Sequence, residues 1–224
     1  MKIINQSTHQ TGLDELCKGL KYTFDRIFAL LLIIPLSPIW VVIIIAIKLD
    51  DGGAVFFTQD RLGKDETYFK IYKFRTMIEN ADRYLDEKGH VTNQNRITRV
   101  GKFLRVLSLD ELPQLINIFK GEMSIIGPRP VLSFHLPRYT QEQRRRFLMK
   151  PGVTGLAQVN GRNTLKWSQR IAYDVWYIDH YSLWLDIKIL AKTIKVVLFR
   201  EGVVLDRNPH EVDDLARPSE STND

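Results

Sequence analysis

The chain has 224 residues, enough for one domain of ordinary size, and 44% of them are hydrophobic, enough to bury a core. Its single cysteine, Cys17, excludes an internal disulfide and fits a reducing compartment. The formal net charge of +6 favours an anionic partner, but charge alone does not separate nucleic acid, anionic lipid and phosphorylated substrates.

The N-terminal part combines a polar stretch with a long apolar segment. Residues 1–20 are polar and lack periodicity, which predicts a tail or a short surface helix. Residues 27–47 carry no charged side chain, and as a helix they would extend about 31 Å, enough to cross a bilayer. Polar residues precede this segment and no small-residue cleavage site follows it, so it is not a cleaved signal peptide.

Two prolines interrupt the apolar segment. Pro35 and Pro38 each remove a backbone hydrogen bond and favour a kink, and the Ser37 hydroxyl can bond a freed carbonyl. Cations on both sides favour the cytoplasm at both ends. These residues leave a re-entrant helix and a kinked span as equal alternatives. The flanking cations are Lys21, Arg26 and Lys48.

The next segment predicts a small β-hairpin. Residues 54–59 and 67–74 are rich in β-branched and aromatic side chains, and Gly63 lies in the loop between them. Residues 76–87 are charged and predict an exposed helix, and residues 89–96 predict a loop.

Two adjacent carboxylates, Asp110 and Glu111, lie between Arg105 and Arg129 in the sequence. A short helix near residues 100–106 would bring Arg105 toward them. An isolated Asp-Glu pair is usually only a helix cap. The surrounding arginines indicate phosphoryl chemistry instead.

The helix after this pair is predicted from about residue 113 to residue 120, ending at Gly121. Its start has two interpretations: Ser108 as N-cap with Glu111 completing a capping box, or Pro113 at the first helical position. Both place the carboxylates at the positive end of the helix, which stabilises an anion by about 0.3–1 kcal/mol.

The C-terminal half is predicted to be mostly helical. Residues 137–149 form a very basic helix, and residues 167–177 another. Residues 182–200 are amphipathic, as expected either of a helix in a membrane interface or of an ordinary core helix. Residues 206–224 are acidic and polar and predict a disordered tail.

Cationic side chains recur near the proline and glycine turns. Converging guanidinium groups bind phosphate oxygens in bidentate fashion, and Mg²⁺ prefers one or two carboxylates plus substrate phosphates. Together with the carboxylate pair they predict a site for a nucleotide diphosphate and a divalent ion. These cations are Lys73, Arg75, Arg105, Arg129 and Arg162.

Several sequence blocks occur in a fixed order. They include Lys73-Phe-Arg75-Thr-Met77, Ser108-Leu-Asp110-Glu111-Leu-Pro113-Gln114, Ser124-Ile-Ile-Gly-Pro-Arg129-Pro130, Gly161-Arg162-Asn163 and Leu185-Asp186. In these blocks the chain resembles the bacterial sugar transferase family, the monotopic polyprenyl-phosphate phosphoglycosyl transferases, of the minimal, small-chain type. The resemblance covers roughly residues 21–204. Ser37-Pro38 also matches the helix break of the family, which favours the re-entrant alternative.

The resemblance implies a mixed α/β, helix-dominated monotopic membrane protein with a re-entrant helix-break-helix hairpin, a small β-hairpin and interfacial amphipathic helices. The re-entrant helix would comprise residues 21–48, and the cytoplasmic catalytic domain residues 49–205. The implied location is the cytoplasmic face of the bacterial inner membrane.

The family transfers a sugar 1-phosphate from a UDP-sugar to undecaprenyl phosphate, releases UMP and starts a surface glycan. By resemblance, Asp110 is the nucleophile that forms a covalent phosphosugar adduct, and Glu111 helps to hold Mg²⁺, with Asp110 as its other ligand. Arg129 is implicated in uridine nucleotide binding. The remaining substrate- and phosphate-binding residues are Lys73, Arg75, Arg105, Arg162 and Asp186.

The implied partners are a UDP-sugar, undecaprenyl phosphate and membrane lipids, with no nucleic acid, and a homodimer is left open. Two rival hypotheses remain. One is a membrane-tethered binding protein whose basic helix at residues 137–150 docks on an anionic surface. The other is a membrane-bound phosphohydrolase that uses the same Mg²⁺ site. The sugar itself is not specified by the sequence.

Overall fold

The computed structural model describes residues 3–81, 96–200, 202 and 212–215. Helices dominate this part of the chain, together with two small two-stranded sheets. The helices are α1 (Ile3–Asp51), α2 (Arg99–Val106), α3 (Gln114–Lys120), α4 (Gln141–Arg144), α5 (Leu156–Val159), α6 (Trp167–Asp179) and α7 (Leu183–Leu198). The strands are β1 (Phe56–Leu62), β2 (Tyr68–Phe74), β3 (Ser124–Ile126) and β4 (Gly152–Thr154).

The predicted β-hairpin is present. β1 and β2 pair antiparallel, with Phe56 opposite Phe74 and Leu62 opposite Tyr68. The Gly63 N–H donates to the Thr67 carbonyl at 2.7 Å and closes the connection. The second sheet is smaller, and in it β3 and β4 pair in parallel.

Helix α1 incorporates both the predicted tail and the apolar segment. It is assigned as helix through Pro35 and Pro38 without a gap, so the prolines do not divide it into two separate helices. The Ser37 hydroxyl donates to the Ile34 carbonyl at 2.7 Å, which gives one of the freed carbonyls a partner. In the described part of the chain, the segment Glu15–Asp51 is long and apolar enough to cross a membrane.

One face of α1 packs against the rest of the protein along both of its apolar halves. Ala29, before the prolines, is buried in a cluster with Ile71 of β2 and Ile118 of α3. Ile43 and Ile47, after the prolines, are buried in another cluster. Their partners there are Phe74 and Leu104. The opposite face of α1 is apolar and exposed, and it includes Leu31, Ile34, Val42 and Ile45.

Lys21, one of the cations that flank the apolar segment, is paired inside the protein. Its ammonium is buried and lies 2.7 Å from Asp186 of α7 and 3.6 Å from Asp25. Asp25 in turn accepts a hydrogen bond from the Ser124 hydroxyl of β3. Lys21 therefore ties α1 to the body of the protein.

Short helices around the carboxylate pair follow the predicted order, but their caps differ. α2 and α3 are present, and α3 ends at Gly121, whose φ of +83° is left-handed. The predicted capping box is not formed, because the Ser108 side chain makes no cap hydrogen bond. Pro113 immediately precedes α3, as the second interpretation broadly anticipated.

Two other predicted helices were wrong in extent. The exposed helix predicted at residues 76–87 is not formed at residues 76–81, where Met77 instead pairs with Ile97 in a β-bridge followed by a turn. Residues 82–90 lie outside the described residues. Residues 137–149 form short α and 3₁₀ segments instead of one basic helix. Arg146 in this stretch is fully buried against Asp174, at 2.6 Å, because the chain turns inward there.

Part of the predicted tail is packed. Val212 and Leu215 are buried, and Asp213 accepts two hydrogen bonds from Arg138 at 2.7 and 2.8 Å. The disorder prediction is therefore wrong for residues 212–215. Residues 206–211 and 216–224 lie outside the described part.

The predicted amphipathic helix is present as α7. Ile189 and Val196 are buried on one face. The predicted apolar stripe is more than two-fifths exposed at each of Leu183, Ile187, Leu190 and Ile194. α7 is therefore not an ordinary core helix, because one of its faces is buried and its apolar stripe is exposed.

Candidate active site

The candidate site is a cavity of about 1120 Å³ between the hairpin, the carboxylate segment and α5–α7. Lys73 reaches it from the end of β2, and Arg105 from the last turn of α2. Most of the charged residues predicted from the sequence meet there. They are Lys73, Arg75, Arg105, Asp110, Glu111, Arg129 and Arg162.

Glu111 is held by two cations. Its Oε1 lies 2.6 Å from the Lys73 ammonium and 3.0 Å from the Arg129 guanidinium. Burial raises the pKa of Glu111, but the charges of Lys73 and Arg129 outweigh burial and hold that pKa well below its ordinary value. Glu111 is consequently a fixed anion.

Asp110 is much less constrained than its neighbour. Among the described residues, no hydrogen bond or ion pair engages its carboxylate. The pKa of Asp110 is raised above its ordinary value, because burial and the adjacent Glu111 outweigh the opposite effect of Lys73, Arg105 and Arg129. A carboxylate without close partners in a cationic cavity is free to form a new bond.

Local backbone features position two of the arginines. Gly101 lets α2 approach the segment after β2, because a Cβ at this position would lie 2.2 Å from the Thr76 carbonyl oxygen. Arg105, one turn later, donates from Nε to the Thr76 hydroxyl at 2.9 Å. Ser108 has a left-handed φ of +57°, and its hydroxyl accepts from Arg162 at 2.5 Å.

Two predicted site residues are engaged elsewhere. Arg75 lines the cavity, but its guanidinium binds the Asp51 carboxylate at the end of α1. Asp186 is outside the cavity lining. It accepts from Lys21 at 2.7 Å and from the Tyr177 hydroxyl at 2.6 Å. These contacts connect α1, α6 and α7, and they make both residues ties between helices and the body of the protein.

Sequence reasoning missed Arg61 of β1. It lines the same cavity, and its buried Nε has no hydrogen-bond partner within the described ranges. Burial lowers the pKa of Arg61 to about 10, and the neighbouring Arg129 contributes in the same direction. Two partly buried guanidinium groups that line one cavity and repel each other favour the binding of an anion there. Arg61 fell in the predicted loop between residues 59 and 67, near Gly63, because the first strand was predicted to end at residue 59 whereas β1 extends to Leu62.

The carboxylates that line the cavity determine whether it could hold the Mg²⁺ that the resemblance implies. In the described part of the chain, no three His, Cys, Asp or Glu side chains converge to hold a metal ion. The cavity instead offers the carboxylates of Asp110 and Glu111, and Glu111 has already committed one oxygen to two cations. Such a set fits an ion that takes one or two carboxylates and completes its shell with substrate phosphates and water.

Comparison with known proteins shows the family to which the chain belongs. The profile of the bacterial sugar transferase family matches residues 16–200. The chain is 45% identical over 185 residues to an uncharacterized sugar transferase, EpsL, of Bacillus subtilis, covering 82% of this chain and 90% of the relative. The protein belongs to the bacterial sugar transferase family.

Two further relatives have names that specify substrates. A UDP-galactose-lipid carrier transferase of Erwinia amylovora is 45% identical over 82% of this chain. A UDP-glucose:undecaprenyl-phosphate glucose-1-phosphate transferase of Klebsiella pneumoniae is 43% identical over 81% of it. In both cases the match covers 41% of the relative, so this chain corresponds to about two-fifths of those proteins.

Proposed function

We propose that this protein transfers a sugar 1-phosphate from a UDP-sugar to undecaprenyl phosphate, releasing UMP and starting a surface glycan. The observation that carries the proposal is the contrast within the carboxylate pair. Glu111 is fixed by Lys73 and Arg129, whereas Asp110 lies beside it without a partner among the described residues. Relatives named for transfer from UDP-sugars to a lipid carrier support the choice of substrates.

In the proposed reaction, an Asp110 carboxylate oxygen attacks the phosphorus that bears the sugar. The bond from this phosphorus to the oxygen bridging toward uridine breaks, and UMP leaves with that oxygen. A phosphate oxygen of undecaprenyl phosphate then attacks the same phosphorus and displaces Asp110, giving a lipid diphosphate sugar. The covalent step divides one displacement between two substrates of very different solubility into two simpler steps.

The cations around Asp110 have separable roles. Arg105 and Arg162 are held by the Thr76 and Ser108 hydroxyls, so their guanidinium groups are ordered before substrate arrives. Mg²⁺, when bound by Asp110 and Glu111, supplies charge neutralisation to the diphosphate. Arg61 and Arg129 would bind further phosphate oxygens.

We also propose that α1 enters the membrane and returns to the cytoplasmic face of the inner membrane. Ala29 and Ile43, on opposite sides of the two prolines, both contact the same globular body. A helix crossing the whole bilayer would carry one of these contacts away from the membrane surface. The exposed apolar stripes of α1 and α7 would then contact lipid together, next to the Lys21–Asp186 pair that joins these helices.

The two rival functions give different products. Purified protein in lipid nanodiscs is supplied with a panel of UDP-sugars and Mg²⁺, with or without undecaprenyl phosphate, and both UMP and lipid product are measured. We expect UMP and lipid diphosphate sugar in equal amounts for at least one sugar. A phosphohydrolase would release UMP without any lipid product, and a binding protein would release none. Either result would overturn the proposal.

A further inference from the structure

Gln158 of α5 stands out because the polar end of its side chain is buried and unused. Both the Oε1 and Nε2 atoms are inaccessible to solvent and have no hydrogen-bond partner in the described residues. Burying an amide without partners is costly, so such a group usually has a ligand. Gln158 lines the same cavity as Asp110 and Arg129.

Other polar side chains near α5 are already paired. Thr154 and Thr193 share a hydrogen bond of 2.7 Å between their hydroxyls. Asn160 donates to the Leu156 carbonyl at 2.8 Å and accepts from Lys192 at 2.6 Å. These groups are satisfied, whereas the Gln158 amide, packed out of contact with solvent, has no partner among the described residues.

Gln158 lies close to the turn that carries Arg129, one of the cations proposed to bind phosphate. Gly155, just before α5, packs closely against both Gly127 and Gln158. A Cβ atom built on Gly155 would lie 2.1 Å from the Gly127 carbonyl oxygen and 2.9 Å from Gln158 Oε1. Gly127 begins the turn that carries Arg129. The amide therefore lies beside that turn, on the wall that also includes the apolar residues Val153 and Val196.

The hydrogen-bonding pattern of a primary amide fits some parts of a UDP-sugar better than others. It presents one donor and one acceptor side by side, which matches the adjacent N–H and C=O of the uracil ring. The N–H and C=O of a sugar acetamido group point in opposite directions, so one amide cannot pair with both. Phosphate oxygens accept only, and would leave Oε1 without a partner. Ribose and sugar hydroxyls both donate and accept, and comparing UMP with ribose 5-phosphate and with different UDP-sugars distinguishes them from the base.

We propose that Gln158 recognises the uracil base of the donor nucleotide through two hydrogen bonds, while the neighbouring cations hold its phosphates. This inference rests on the proposed function, because it assumes a uridine nucleotide in the cavity. The cavity volume of about 1120 Å³ is sufficient for a nucleotide sugar, since ordinary ligand sites measure about 300–1,000 Å³.

The test compares two ligands that differ in the base. Binding of UMP and of ribose 5-phosphate is measured by calorimetry for the wild type, Gln158→Leu and a control, Gln141→Leu, whose side chain is exposed on α4 and does not line the cavity. We expect Q158L to weaken UMP binding about ten- to a hundredfold, as the loss of two hydrogen bonds implies. Its affinity for ribose 5-phosphate should stay within twofold of the wild type.

Thermal unfolding provides a second readout. Leucine removes a buried amide without partners, so we expect the ligand-free Q158L protein to be at least as stable as the wild type. A stable Q158L that binds UMP with wild-type affinity would overturn the assignment. So would a Q158L that changes the ranking of UDP-sugars but not UMP binding, because Gln158 would then face the sugar. If the wild type binds neither UMP nor UDP-sugar, the proposed function fails first.

Discussion

At the scale of single residues, Arg61 and Arg129 line the same cavity, and the positive charge of each disfavours that of the other. We expect Arg61→Met to raise the KM for the UDP-sugar about tenfold or more, since a guanidinium bound to phosphate is lost. The free energy of unfolding of the same variant should equal that of the wild type or exceed it by up to about 1 kcal/mol, because the variant no longer buries a cation near another cation.

Steady-state kinetics and urea unfolding of Arg61→Met check this pair of effects. Arg144→Met is the control, because Arg144 lies near the surface beside Glu66 and is not part of the cavity lining. A large loss of stability in Arg61→Met without any change in KM would assign Arg61 a structural role.

His135 makes the stability of the protein depend on pH. The imidazole is buried among the rings of Phe134, Tyr139 and Trp167, and its Nδ1 has no hydrogen-bond partner among the residues described. Burial lowers the pKa of His135 to about 4, against about 6.5 in the unfolded chain. The unfolded state therefore takes up this proton at a higher pH than the folded state.

The stability due to neutral His135 is complete above pH 6.5 and is lost as the pH falls toward 4. It amounts to at most about 3 kcal/mol. We expect His135→Phe to flatten this part of the curve of unfolding free energy against pH. Identical pH dependence in the variant and the wild type would show that His135 is not responsible.

At the scale of elements, the approach of α2 to the segment after β2 depends on Gly101. We expect Gly101→Ala to displace α2, break the bond from Arg105 to Thr76 and destabilise the fold by about 1–3 kcal/mol, as overpacking does. Turnover should fall with it, because Arg105 loses its position. Melting temperature and kcat measure the two effects.

Gly19→Ala on α1 is the matched control for this change. A Cβ at Gly19 meets nothing within 4 Å, and alanine favours a helix by about 1 kcal/mol relative to glycine. This control should be stable and active. If Gly101→Ala keeps full stability and kcat, α2 does not need its close approach.

Local signals predicted most elements, but long-range contacts decided their details. The hairpin was predictable because aromatic and β-branched residues flank Gly63, and the end of α3 because Gly121 can adopt a positive φ. The prediction of one basic helix at residues 137–149 was wrong, because Arg146 is buried in an ion pair with Asp174, which is distant in the sequence. No role of Gln158 was predicted, because its lack of hydrogen-bond partners among the described residues is visible only in the fold.

At the scale of the whole molecule, the contacts of α1 predict its topology. If both halves of α1 contact a cytoplasmic body, the N-terminus is also cytoplasmic. We expect a cysteine at position 5, in a Cys17→Ser background, to resist a membrane-impermeant maleimide in intact cells and to react after lysis. The same cysteine introduced at exposed Gln141 of α4 is the control for a cytoplasmic position. Labelling at position 5 in intact cells would contradict the re-entrant course of α1.

The covalent adduct on Asp110 tests the central claim most directly. The wild type and Asp110→Asn are mixed with the UDP-sugar alone, quenched rapidly and measured by intact-protein mass spectrometry, with Glu122→Gln as a control carboxylate outside the cavity lining. We expect a mass increase of one sugar phosphate in the wild type and in Glu122→Gln, and none in Asp110→Asn, since the amide cannot supply the attacking anionic oxygen. Fragmentation should place the adduct on Asp110. A fully active enzyme that never shows this mass would contradict the two-step mechanism.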